Sequence, residues 1–150
     1  MSGDDVYRGP IAAAQPVPVF DWTPCTKPPP LERARVAIVT TAAVRHAEQR
    51  SFGVEDESFR VLESAERLVL DHASPNFDRT GFLADVNVVL PVDRLRELES
   101  DGAIGSASPV HLSFHGAQRE TLTTIRLDSG PAAAELLRAQ GVDVVVLTGV

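Results

Sequence analysis

Four histidines, one cysteine and a scatter of hydroxyls are the side chains of this 150-residue sequence that could move protons, attack a carbon or hold a ligand. His72 lies in Asp71-His72-Ala73-Ser74-Pro75-Asn76-Phe77-Asp78, whose proline and polar residues make it a loop at a strand end. An imidazole titrates near neutrality, so His72 can hold a substrate carboxylate, relay a proton, or simply tie the loop together. His111, Ser113 and His115 alternate with Leu112 and Phe114, which places the three polar residues on one face of a strand over Val110–Phe114. Two histidines four apart on a strand are separated by about 13 Å, too far for one metal ion. On a helix the spacing would suit zinc, but the glutamate of H-E-x-x-H is absent. Thr40-Thr41-Ala42-Ala43 follows an apolar run, and small residues at the carboxyl end of a strand let a ligand approach the backbone. A plain turn from strand to helix fits those four residues equally well. Cys25 sits among prolines with nothing nearby to depress its thiol pKa, and reads as passive. No G-x-S-x-G elbow, cysteine pair or glycine-rich phosphate loop is present, so these residues form no complete catalytic set.

The elements that must position these side chains follow from apolar patterning. Val36–Val39 is continuously apolar, as in a parallel strand covered on both faces. Phe59–Leu62 or Arg67–Leu70 supplies a second short strand, Val110–Phe114 a third, and Val142–Leu147 the last. Pro91 opens a helix with an apolar stripe at Val92, Leu95 and Leu98, closed by Gly102. A second helix runs from Pro131, with Ala133, Leu136, Leu137 and Gln140 on one face and Gly141 at its end. Residues 44–59 read as polar and irregular, with Phe52 and Phe59 touching the core. Residues 118–128 read as a connection with an apolar beat at Leu122, Ile125 and Leu127. Residues 1–30 hold seven of the eleven prolines and form an extended arm, anchored by Phe20 and Trp22. The fold class is α/β: an open, mostly parallel, doubly wound sheet over residues 31–150, incomplete, with a proline-rich arm.

Composition narrows the function classes. A formal charge of −7 argues against nucleic acid or an anionic membrane as a partner, since both require a basic surface. No segment has the length of a membrane span or the layout of a signal peptide, so a cytoplasmic location is expected.

Asp85 to Gly105 reads D-x-N-V-V-x-P-x-D-R-L-R-E-L-x-x-x-G-x-I-G and resembles the component B selenoproteins of the glycine/sarcosine/betaine/D-proline reductase family. His72 with Phe77 and Asp78 is similar to that family's S-H-x-x-Y-D element, with Asp71 for serine and Phe77 for tyrosine. His111-Leu112-Ser113-Phe114-His115-Gly116 is similar to its H-x-S-F-M-G, with His115 in place of methionine. Trp22 to Pro28 and Arg35 to Ala43 resemble its opening segment and first strand, so the likeness runs from Trp22 to Val150.

The resemblance implies an oxidoreductase component that cleaves the C–N bond of glycine, sarcosine, betaine or D-proline through a selenol or thiol, with a disulfide as acceptor. It implies other reductase subunits as partners, an oligomer, a small amine or amino-acid substrate, and a pyruvoyl group on a partner subunit in the primary-amine and proline systems. Thr40, Thr41, His72 and His111 are then the candidate substrate-binding residues, with Thr40, Thr41 and His72 expected to converge near the carboxyl end of the last strand. No catalytic residue, resident cofactor or metal is expected within these 150 residues. The redox selenocysteine or cysteine is expected directly after Val150, the chain being an N-terminal fragment whose next codon is UGA. A non-catalytic α/β subunit that binds a small molecule or a partner is the competing reading.

Overall fold

The computed structural model describes residues 26–54, 56–75, 77–118 and 123–149. The expectations placed on Phe20, Trp22, Cys25, Leu122 and Val150 lie outside them. Strand β1 (Arg35–Thr40) is the hub of the sheet. It pairs in parallel with β5 (Ser106–Ala107) near its start, β6 (His111–Ser113) near its end and β7 (Val144–Thr148) along most of its length. Strand β3 (Arg60–Leu62) adds an antiparallel edge against β6. Both candidate second strands form, because Leu68–Leu70 is β4 and pairs antiparallel with β2 (Val44–His46) in a separate two-stranded sheet. The polar stretch 44–59 therefore begins with a strand that its composition hides. Val44 is fully buried and anchors it, while Arg45 and His46 disguise the alternation.

Alternate residues of β1 look to opposite faces, and each face carries a helix. Val36 and Ile38 pack with Val89, Leu90, Val92 and Leu95, from a 3₁₀ turn region and from helix α2 (Val92–Ser100); α1 (Arg79–Ala84) precedes them. On the other face Ala37 packs with Leu112, Phe114, Ala133 and Leu137, the last two from α3 (Gly130–Ala139). This is the open, mostly parallel α/β arrangement with helices on both faces. Of the Pro91-helix stripe, Val92 and Leu95 are buried while Leu98 stands at the rim. Gly102 takes φ +70°, and Leu98 O accepts from both Ala103 N and Ile104 N, folding buried Ile104 back over the last turn.

One detail differs from the sequence reading. The connection before α3 contains a π-helical turn, Ile125–Ser129, that runs straight into the helix, so α3 starts ahead of Pro131. Among the described residues β7 pairs only with β1, and its Leu147 side is 76% exposed. No helix among the described residues is long and apolar enough to cross a membrane.

Candidate functional site

Strands β6 and β7 bring their carboxyl ends beside that of β1 at Thr40, where the chain changes direction sharply. After Thr40, Ala43 adopts φ +55°, which an alanine enters at a cost of about 1–2 kcal/mol. The bend is held on both sides: Ala43 N donates to Phe114 O at 2.9 Å, and Ala43 O accepts from Asp71 N at 3.0 Å. Pairing of β2 with β4 then delivers the loop after Leu70, and with it His72, to the end of β1. The loop is clasped from below by Arg45. Its guanidinium donates to the Asp71 carboxylate and to the carbonyls of His46, Ala47 and Gln49. Asp71 also accepts from Phe52 N at 3.0 Å, and despite burial the Arg45 side chain and this backbone donor hold its carboxyl below the usual range.

Two cavities open at this end. The smaller, of about 510 Å³, is bounded by His72, Phe77, Asp78, Val89 and Gly116. The larger, of about 780 Å³, lies over the α3 face and is bounded by Thr41, His115, Gly116, Gln118 and Arg138 among a mostly apolar lining. Gly116 belongs to both. A Cβ there would stand 2.9 Å from Thr41 O and 3.0 Å from the Thr41 side chain, so glycine permits the close approach that forms the shared wall.

The four sequence-derived site residues divide into two pairs. Thr41 and His72 reach the cavities, Thr41 the larger and His72 the smaller. Thr40 is fully buried as a latch, its Oγ1 accepting from Ala42 N at 3.2 Å and donating to Thr148 O at 3.5 Å. Thr41 N donates to the same Thr148 carbonyl at 3.1 Å, so both threonines tie β1 to the carboxyl end of β7. Thr148 Oγ1 in turn donates to Val89 O at 2.9 Å, and Val89 bounds the His72 cavity. His111 is 3% exposed, lines neither cavity, and accepts from Ile38 N through Nδ1 at 3.1 Å. Burial pushes its pKa down to about 4, with the Arg96 charge adding to the shift.

His115 is the residue the sequence undervalues, since it invites only a metal reading there. Its ring stands edge-on to His72, centroids 5.3 Å apart. The pair is boxed by aromatic rings, Phe77 stacked on His72 at 4.4 Å and Phe52 beside His115 at 6.3 Å. The Arg60 guanidinium caps Phe52 at 4.2 Å. Burial lowers the pKa of both histidines, the charges of His115 and Arg79 adding to the effect at His72, while Asp56 and Asp71 oppose it at His115. Both rings are thus neutral near pH 7. His115 Nε2 accepts from Ala73 N at 3.2 Å and His72 Nδ1 from Ser74 N at 3.3 Å. The remaining nitrogen of each, His72 Nε2 and His115 Nδ1, is buried and has no hydrogen-bond partner. No group of three or more His, Cys, Asp or Glu among the described residues could hold a metal ion.

Comparison with known proteins identifies the family. A family model described as glycine/sarcosine/betaine reductase selenoprotein B matches residues 8–150. The chain is 33% identical over 137 residues to D-proline reductase subunit gamma of Acetoanaerobium sticklandii, covering 89% of this chain and 54% of that protein. It is 29% identical to glycine reductase complex component B subunit gamma of Carboxydothermus hydrogenoformans, over 89% of this chain and 32% of the relative. Sarcosine reductase complex component B subunit beta of Peptoclostridium acidaminophilum is 28% identical over the same shares. The chain therefore spans about half the length of the first relative and about a third of the other two. No solved structure matches it. With the family model covering nearly the whole sequence, the chain belongs to the glycine/sarcosine/betaine reductase selenoprotein B family.

Proposed function

We propose that this chain is the substrate-holding α/β part of a reductase component that cleaves the C–N bond of glycine, sarcosine, betaine or D-proline. The observation that carries the reading is the cavity bounded by His72 at the carboxyl end of the parallel sheet, where α/β proteins bind ligands. His72 is held there by Ser74 N and Phe77, and Thr41 and Thr40 fix the neighbouring wall against β7. In this reading the redox centre is a selenol or thiol outside the described residues. That centre would supply the ionised nucleophile, the reductive C–N cleavage drawing its two electrons from thiols that end as a disulfide; in the primary-amine and proline systems a pyruvoyl group would sit on a partner subunit. The residues of this chain bind and orient the amine. The relatives are named as subunits of reductase complexes, and the open, apolar edge of β7 supports packing against further reductase polypeptide.

The test is calorimetric titration of the chain with glycine, sarcosine, betaine and D-proline in turn. One of the four is expected to bind, and His72→Ala to weaken it about tenfold, the worth of one hydrogen bond to a charged group. Silence with all four at millimolar concentration would sink the reading and favour a partner-binding subunit without a small-molecule site.

A further inference from the structure

We propose that His72, on the smaller cavity, and His115, on the larger, form a two-donor clamp at the Gly116 wall the cavities share, taking the carboxylate of a small zwitterionic ligand, His115 being the residue that makes the site selective for carboxylates; this rests on the His72 cavity being the substrate site. The argument starts from proton placement. Ala73 N donates to His115 Nε2 and Ser74 N to His72 Nδ1, so neither of those nitrogens carries a proton. In a neutral imidazole the proton must then be on the other nitrogen. His115 Nδ1 and His72 Nε2 are therefore both N–H donors, and both are buried without an acceptor.

One unpaired buried donor is an occasional feature of a protein; two on rings 5.3 Å apart form a group. Two donors cannot satisfy each other, and neither ring can turn to escape. His72 is stacked on Phe77 and His115 is flanked by Phe52, while each is tied by its other nitrogen to a backbone amide. The rings are 4% and 1% exposed, so bulk water does not serve the donors and an acceptor has to be carried in.

The chemistry selects the ligand class. A carboxylate is an acceptor only, with two oxygens to set against two N–H groups. An amine or a hydroxyl brings a proton of its own into a site already rich in them. A metal ion needs lone pairs, and those of both rings are engaged by Ala73 N and Ser74 N. Charge around the site agrees. The Arg79 guanidinium donates to His72 O at 2.6 Å and supplies a positive field at the clamp. Asp78, on the wall of the same cavity, has its carboxyl held below the usual range by the Thr80 amide and so stays ionised. An anion at the imidazoles and a cation towards Asp78 describe an amino acid or a betaine.

The experiment is NMR of the histidine ring nitrogens in the intact chain, titrated separately with betaine, acetate and choline, which is a betaine analogue without the carboxylate. Betaine and acetate are expected to move His72 Nε2 and His115 Nδ1 together, and choline to move neither. His115→Met should weaken betaine binding about tenfold, whereas His115→Gln, which restores an N–H donor, should recover it to within about threefold. A response at His72 alone, or undiminished binding in His115→Met, overturns the clamp and leaves the substrate-site reading intact. No response at either ring to betaine, acetate, glycine, sarcosine or D-proline overturns both.

Discussion

His111 accepts the backbone N–H of Ile38 through its Nδ1, and so completes a β-ladder with a side chain. Ala34, Val36 and Thr40 carbonyls accept from Ser106, Ser108 and Phe114 N along one edge of β1. Pro109 interrupts the opposing chain between β5 and β6, and Ile38 N–H would be left unpaired in the core without the imidazole. Replacing His111 by Ala should therefore cost about 3 kcal/mol, the sum of an orphaned buried amide and a cavity. His111→Asn, whose Oδ1 can stand near the Nδ1 position, should recover about half. Urea denaturation measures both; equal losses in the two variants would show that packing rather than the hydrogen bond matters.

The same residue sets a pH dependence. With its folded pKa near 4 and an unfolded value near 6.5, His111 takes up its proton more readily in the unfolded chain. Its contribution is complete above about pH 6.5 and is lost as pH falls towards 4, amounting to up to about 3 kcal/mol at about 1.4 kcal/mol per pH unit. His72 and His115 are also held low and add a loss of the same sign. Unfolding free energies of wild type and His111→Asn between pH 4 and 7 should converge at the acid end. Parallel curves would show that another group carries the acid sensitivity.

Two glycines near α2 should respond differently to a methyl group. At Gly105 a Cβ would lie 2.4 Å from the Arg33 carbonyl carbon, a backbone atom that cannot swing aside. At Gly102 nothing lies within 4 Å, and only the φ of +70° opposes alanine. Gly102→Ala should cost about 1 kcal/mol, the penalty of a left-handed non-glycine residue, and Gly105→Ala about 2–3 kcal/mol from overpacking. Thermal melts give the order directly. The reverse order would mean that the Leu31–Arg33 turn is free to move.

How much of this was legible depends on what each residue's role requires. Val36–Val39 announces a buried parallel strand because both faces are covered, Val144–Leu147 announces its parallel neighbour by the same apolar run although it lies exposed at the sheet edge, and Val92, Leu95 and Gly102 announce a helix and its end. That Thr41 and His72 lie beside cavities was legible because polar groups after apolar runs fall at strand ends. The division between Thr41 and Thr40 was not, because it depends on which hydroxyl meets Thr148. Nor was the role of His111, since only the Pro109 break leaves Ile38 N–H for it to take. His115 stayed hidden for a stronger reason: its partner in the site, His72, is 43 residues away and arrives through the β2–β4 pairing, itself masked by Arg45 and His46.

Arg45 and Asp71 connect that hidden pairing to the site, and their coupling is measurable. Both side chains are nearly buried, and the guanidinium fork serves three carbonyls and Ser51 Oγ besides the carboxylate. Asp71→Asn should cost about 2 kcal/mol, because it leaves a largely desolvated cation without its counter-charge. Arg45→Met should cost as much or more, since four backbone and hydroxyl acceptors lose their donor at once. The double variant should fall short of the sum by about 1–2 kcal/mol, as expected of groups in one network. Asp71→Asn should also lower the pKa of His115, because Asp71 is one of the two carboxylates that draw it up against burial. Ring-nitrogen NMR across a pH series detects that change. An unaltered His115 titration with additive stability losses would mean that the clasp shapes the loop without reaching the imidazoles.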